Sequence, residues 1–410
     1  MIIKICSLML IAFPFFLVSG SFLTNLSVTV IGLYYIFSIN KIEARVYFDH
    51  IIVKLIIIFW IYCIINSFLS INVITSLETS LFYGRFICFS LGTALLINQN
   101  NKLILYFGIS LWTCLILLTF DGYFQFFTGE NIFGWEKSDP DRISSFFGDE
   151  LVLGNFIARL MPLAFFFISF NVFRNKFLFI ISGLAILILQ DVLIFLAGER
   201  TAFLLLILGS VMIIFLVPNF RIIRTITFLI SCAVIILITT QFTGVKERMV
   251  NQTLNGMGIA NPNQDVVIFS QGHHDHYKTA INMFLDSPIK GHGPKMFRYV
   301  CADYDFYLYG CATHPHNTYI QLLAELGILG FLPIICIFAF IVFILIRHFI
   351  SHLINKKEHI INDSTIFLLI CFSITLWPLA PSFGFFASWI NAIYYLPLGF
   401  YLYQIKKDGS

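Results

Sequence analysis

The chain has 410 residues, of which 59% are hydrophobic, 17% aromatic and only 11% charged, with a formal net charge of +3. Soluble domains carry roughly 25% charged residues. A chain this poor in charge cannot cover a globular surface, which excludes a soluble enzyme, a disordered chain and a nucleic-acid binder. What remains is an all-α polytopic membrane protein, and the informative feature is where its few charges sit.

A bilayer span takes about 20 mostly apolar residues. In chain order the sequence offers twelve such segments: 3–20, 21–39, 51–70, 79–97, 103–120, 151–171, 177–197, 202–218, 224–243, 318–346, 364–382 and 385–403. The first begins with one basic residue, Lys4, and so also suits a signal peptide. A second apolar stretch follows at once, however, and cleavage would invert the charge pattern. Lys and Arg favour short cytoplasmic loops. With the N-terminus inside, the cytoplasmic side receives Lys4, Lys41 with Arg45, Lys102, Arg174 with Lys176, Arg221 with Arg224, Arg347 with Lys356 and Lys357, and Lys406 with Lys407. The short outer loops near Ser19, Asn72 and Pro381 carry no basic residue. The alternation predicts both termini in the cytoplasm. It divides the chain into helices over 1–243 with a first outer loop at 121–150, a large outer loop at 244–316, and closing helices over 317–410. Outer segments this long are usually functional.

Cys6, Cys63, Cys88, Cys114, Cys232, Cys336 and Cys371 fall in spans, where a thiol behaves as a small apolar group. Cys301 and Cys311 share the large outer loop. An oxidising compartment makes them a disulfide candidate, with two free thiols as the alternative.

An arginine in the hydrocarbon region is costly and points to function. Arg85 reads as structural or snorkelling, and Arg159, after Asn155, is open to either reading. Arg200, in Gly198-Glu199-Arg200-Thr201, suits a bidentate phosphate ligand or an interfacial arginine paired with Glu199. In the first outer loop Asp139, Asp141, Asp149 and Glu150 have the oxygen ligands a divalent cation takes, but an acid-rich turn is ordinarily a solvated face. The large loop has a helix signal from Gln271 to Asp286, ended by Ser287-Pro288. Its His273, His274 and His276 are too close in sequence for the four-residue spacing of helical zinc sites. Thr313-His314-Pro315-His316-Asn317-Thr318-Tyr319 stands where the loop re-enters the membrane. A neutral imidazole at His316 can accept a proton from a hydroxyl. The other reading is an interfacial histidine beside an Asn317 or Thr318 helix cap.

These residues resemble a family. His316-Asn317, followed by Gly327-Ile328-Leu329-Gly330, is similar to the motif of bacterial O-antigen ligases and the related O-antigen polymerases. Three further segments agree in order: Arg142 to Gly154, Leu196-Ala197-Gly198-Glu199-Arg200-Thr201-Ala202, and Asp286-Ser287-Pro288-Ile289-Lys290-Gly291-His292-Gly293. The resemblance implies a GT-C-like fold with about twelve transmembrane helices and a large helical periplasmic loop in the bacterial inner membrane. It implies an inverting, metal-independent glycosyltransferase without a cofactor. The donor would be a glycan on undecaprenyl pyrophosphate and the acceptor a sugar hydroxyl of lipid A–core. On this resemblance His316 is the base or acceptor-orienting group and Arg200 a diphosphate ligand. The family has a second arginine in its long loop, whereas here no arginine lies between Arg248 and Arg298. Arg298 together with His276 is the expected replacement. His314, Arg142, Arg159 and Asn317 are secondary candidates. A polymerase joining lipid-linked repeat units, a transferase acting on periplasmic proteins, and a lipid or polysaccharide transporter are the competing readings. The transporter predicts broken helix pairs in two matching halves, and the sequence offers no such symmetry.

Overall fold

A computed structural model describes residues 1–38, 47–169, 176–260, 265–304, 310–354 and 361–408. Lys41, Arg45, Arg174, Lys356 and Lys357 lie outside these residues, as does the side chain of Lys176. The described residues form helices, with one isolated β-bridge between Glu130 and Glu136. The main helices are α1 (Ile2–Ser19), α2 (Ser21–Ser38), α3 (Ile51–Ser67), α4 (Val73–Gln99), α5 (Lys102–Thr128), α6 (Leu153–Ser169) and α7 (Lys176–Leu196). They continue as α8 (Arg200–Leu216), α9 (Pro218–Gln241), α10 (Gln271–Asp286), α11 (Thr318–Leu353), α12 (Asp363–Thr375) and α13 (Ser388–Asp408).

Each apolar segment of the sequence is a helix, because only a helix satisfies every backbone polar group without water. Six of them, α1, α2, α4, α5, α9 and α11, are long and apolar enough to cross a membrane. Shorter apolar helices include α3, α6, α8 and α12. The helix faces that meet no neighbour are apolar, as at Leu81, Phe82, Phe120 and Leu237, each more than half exposed. Such a belt suits lipid contact. Inside, α4 packs between α2 and α13, and α6 against α8 and α12.

Two boundaries depart from the sequence reading. Arg221 and Arg224 were expected in a cytoplasmic loop, but Pro218 starts α9 earlier and both lie within it. Proline at the first helical turn gives up no hydrogen bond. Arg224 is 1% exposed and pairs bidentately with buried Asp191 of α7, at 2.8 and 3.0 Å. Ser210 accepts from the guanidinium at 2.6 Å and Ser231 donates to Asp191 at 3.0 Å. The charge is therefore a packing element between α7, α8 and α9. The second departure is α12, which ends at Thr375 instead of running on to 382. Residues 376–387 form a non-helical stretch with Pro378 and Pro381, and this stretch reaches the site described below.

Helix α11 carries the other feature that positions the site. Gly327 breaks its helical path at φ +62°, a conformation that L side chains disfavour. The amides freed just beyond the break donate to the Asp286–Gly293 turn: Ile328 N–H to the Pro288 carbonyl at 2.9 Å and Leu329 N–H to that of Ile289 at 3.4 Å. A Cβ on Gly327 would lie 2.4 Å from the Ile289 backbone, and one on Gly291 2.4 Å from that of Glu325. The two glycine motifs, apart in sequence, are thus one backbone-to-backbone contact. It docks α10, which packs along α11, over the start of that helix.

Candidate active site

The site is built from loops at one end of the bundle. His316 sits immediately before α11 with φ +57°. A non-glycine residue in this region is strained by roughly 1–3 kcal/mol and persists only where its surroundings fix it. The fixings are local. Pro315 precedes it, and the His316 carbonyl accepts from Ser382 N–H at 2.8 Å. Asn317 caps α11, its Oδ1 accepting from Tyr319 and Ile320 N–H at 3.0 and 3.1 Å. Its Nδ2 donates to the Pro378 carbonyl at 2.8 Å. Asn317 therefore ties the histidine loop to 376–387. It is absent from the lining of the cavity described below and, as a helix cap, orients the backbone that carries His316.

Around His316 the imidazoles cluster. Ring centroids lie 4.2 Å from His314, 5.3 Å from His276 and 5.6 Å from His273. His273 is set by the start of α10, where Ser270 Oγ caps the helix and meets His273 Nδ1 at 2.7 Å. Burial, then His314, His273 and His276, push the His316 imidazole down to about 3. Burial, then Arg298 and His276, push His314 down to about 4. Both are neutral near pH 7 and can accept protons. Among the described residues no three His, Cys, Asp or Glu side chains are grouped to hold a metal ion.

Facing the histidines are arginines from three segments. A cavity of about 350 Å³ is lined by Arg142, Arg200 and Arg248 together with His273, His314, His316 and Ser382. Gly198, at φ +72°, makes their convergence possible. A Cβ there would meet Arg142 Cγ at 2.9 Å and Arg248 Cγ at 3.4 Å. Arg142 donates to the Leu151 carbonyl at 3.0 Å and Arg248 to that of Gly198 at 3.2 Å. The Nε atoms of Arg142 and Arg200 are buried without a hydrogen-bond partner. Unpaired buried donors of this kind call for an anion. Glu199 does not supply it to Arg200. Its carboxylate accepts from Gly154 N–H at 2.6 Å and from Asn155 Nδ2 at 2.5 Å. It serves the first turn of α6, and burial raises it to about 7.

The expected residues thus divide. Arg200, Arg142, His316 and His314 line one cavity, with His276 against His316. Arg298 is exposed on a short turn, Phe297–Val300, near enough to His314 to influence it but outside the cavity lining. Arg159 is 1% exposed within α6 and donates to the Thr375 carbonyl at 3.2 Å. Cys301 and Cys311 are bridged, with Cα atoms 5.1 Å apart. Arg248 was not foreseen. It lies on a π-helical turn, Glu247–Asn251, just beyond α9, and a cation beside a span reads as a membrane anchor. Single π turns are frequent at functional sites, but the sequence carries no signal for one.

The family model described as O-Antigen ligase matches residues 182–335. This stretch includes Arg200, Arg248, α10 and the His314–Asn317 segment, and ends within α11 just past Gly327. The chain is O-antigen ligase-like over that span. No curated protein matches it.

Proposed function

We propose that this O-antigen ligase-like membrane protein is a glycosyltransferase that moves a glycan from undecaprenyl pyrophosphate to a sugar hydroxyl of lipid A–core at the periplasmic face. The observation that carries the reading is the meeting of Arg142, Arg200 and Arg248 with the neutral His316 in one cavity. The guanidinium groups take the donor diphosphate. The acceptor oxygen attacks the anomeric carbon, the bond from that carbon to the diphosphate oxygen breaks, and the electron pair leaves on the diphosphate. Configuration inverts. His316 takes the hydroxyl proton.

A base held at about 3 is weak on its own. The bound diphosphate corrects this, since an opposite charge within a few ångströms favours the protonated imidazole and so raises its pKa. Donor binding thus arms the base. The arginines stabilise the developing charge on the leaving group in a site partly screened from water. On this reading the chain spans the inner membrane twelve times in a GT-C-like arrangement, with both termini in the cytoplasm.

The test is retention of undecaprenyl pyrophosphate-linked glycan by detergent-purified protein. Arg200→Ala and Arg248→Ala are expected to bind it at least tenfold more weakly, whereas Arg159→Lys leaves it unchanged. Equal retention by all three would refute the diphosphate assignment.

A further inference from the structure

A second cavity opens on the same end of the molecule, on the other side of the 376–387 stretch. It is about 320 Å³ and is lined by Arg85, Lys295, Phe82, Phe86, Phe386 and Ser388 among others. Ser382 and Phe383 line the arginine–histidine cavity, whereas Phe386 and Ser388 line this one. Three residues of extended chain span at most about 11 Å, so one short turn separates the two.

Two cations and one carboxylate line the second cavity, which borders an exposed apolar helix face. Arg85 Nη2 donates to Asn25 Oδ1 at 2.8 Å and to Ser388 Oγ at 3.1 Å, while its Nε is buried without a partner. Its guanidinium also rests 5.0 Å from the centre of the Phe86 ring. Lys295 has φ +64°, one of three non-glycine residues with positive φ among the described residues, with Ser145 and His316. Its amide is held by Glu325 Oε2 at 3.1 Å, and Glu325 also accepts from Gln321 at 3.1 Å. Gln321 in turn accepts from Phe385 N–H at 2.8 Å. The lysine and the dividing turn are therefore fixed by the same buried pair. Among the described residues neither Arg85 nor Lys295 has a carboxylate at ion-pair distance. Glu78, an exposed carboxylate, also lines the cavity. Phe82, 58% exposed, carries the cavity out onto the apolar belt.

We propose that this cavity seats a phosphate on the headgroup of the acceptor lipid. Cations fixed beside a lipid-facing aromatic wall match an anionic head on an apolar anchor. The site lies one turn from His316, where an acceptor hydroxyl has to arrive. The assignment of that lipid as acceptor rests on the function proposed above, but phosphate recognition by Arg85 and Lys295 does not.

The test is native mass spectrometry of the full chain in detergent with three probes: core–lipid A, the same lipid after phosphatase treatment, and phosphatidylglycerol. Lys295→Gln and Arg85→Gln are each expected to lower core–lipid A adducts about tenfold, the loss expected for one charge-assisted hydrogen bond. Arg85→Lys recovers part of the binding. The wild type should prefer the phosphorylated acceptor to its dephosphorylated form by a similar factor, and donor adducts should stay within twofold in every variant. Unchanged core–lipid A adducts in both glutamine variants overturn the proposal. So does equal retention of phosphatidylglycerol, which makes the cavity a general lipid site. Because the readout is retention and not transfer, a protein that binds as described but transfers no glycan separates failure of the functional reading from failure of this one.

Discussion

At the residue level the proposed chemistry depends on a base that is neutral before the donor arrives. His316→Ala should lower transfer by about 10²–10⁴-fold, the usual contribution of a general base, with unchanged membrane insertion on a blot. Burial and the neighbouring imidazoles lower His316 to about 3, so the free enzyme keeps the competent form well below pH 6. The acid limb of kcat/KM is therefore expected below pH 5, and a limb near the ordinary histidine value would contradict the burial argument. Arg248→Ala and Arg298→Ala separate two ways of supplying the second loop arginine. Arg248 lines the cavity and Arg298 is exposed outside it, so only the former should weaken donor use, by at least tenfold. His314, His316 and Arg200 were legible because each stands in a short contiguous motif next to a span end. Arg248 was not, because its place depends on a π turn and on Gly198 leaving room for its side chain.

At the level of elements, the break in α11 is the feature most open to test. Gly327→Ala adds a Cβ 2.4 Å from the Ile289 backbone at a φ of +62°. With ψ at −166° this backbone lies in a region essentially restricted to glycine, which alone costs about 1–3 kcal/mol. We expect a Tm several degrees lower in detergent, whereas Gly272→Ala, whose Cβ meets nothing within 4 Å, should leave Tm near that of the wild type. The Asp191–Arg224 pair makes a second case. Asp191→Leu strands a buried guanidinium and should cost about 3–5 kcal/mol, and adding Arg224→Met should restore most of it. Helix existence was legible throughout because apolar runs in a membrane have few alternatives. Helix ends were less so. Pro218 moved one start upstream and drew Arg221 and Arg224 out of a loop, and the prolines near 378 and 381 shortened α12. Hydropathy averages over a window and does not see single capping or breaking residues.

For the whole molecule, the arrangement is a helical bundle with one worked end. The loops after α5, α7, α9 and α12 and the loop before α11 all contribute to one cavity, as they must if successive helices alternate in direction. Alkaline phosphatase fused after Asp139 should be active and after Lys407 inactive, and the reverse would invert the proposed orientation. The low charge first read only as a membrane signature now has a second content. Five cations gather at that end, Arg142, Arg200 and Arg248 on one side of the 376–387 turn and Arg85 and Lys295 on the other. The central claim is transfer of a lipid-linked glycan to lipid A–core, and a lipopolysaccharide gel of a deletion strain tests it most directly. Loss of all long-chain bands with accumulation of lipid-linked polymer, reversed by the wild-type gene and not by His316→Ala, is the predicted result. Retention of core bearing a single repeat unit, or a full ladder from His316→Ala, would contradict it.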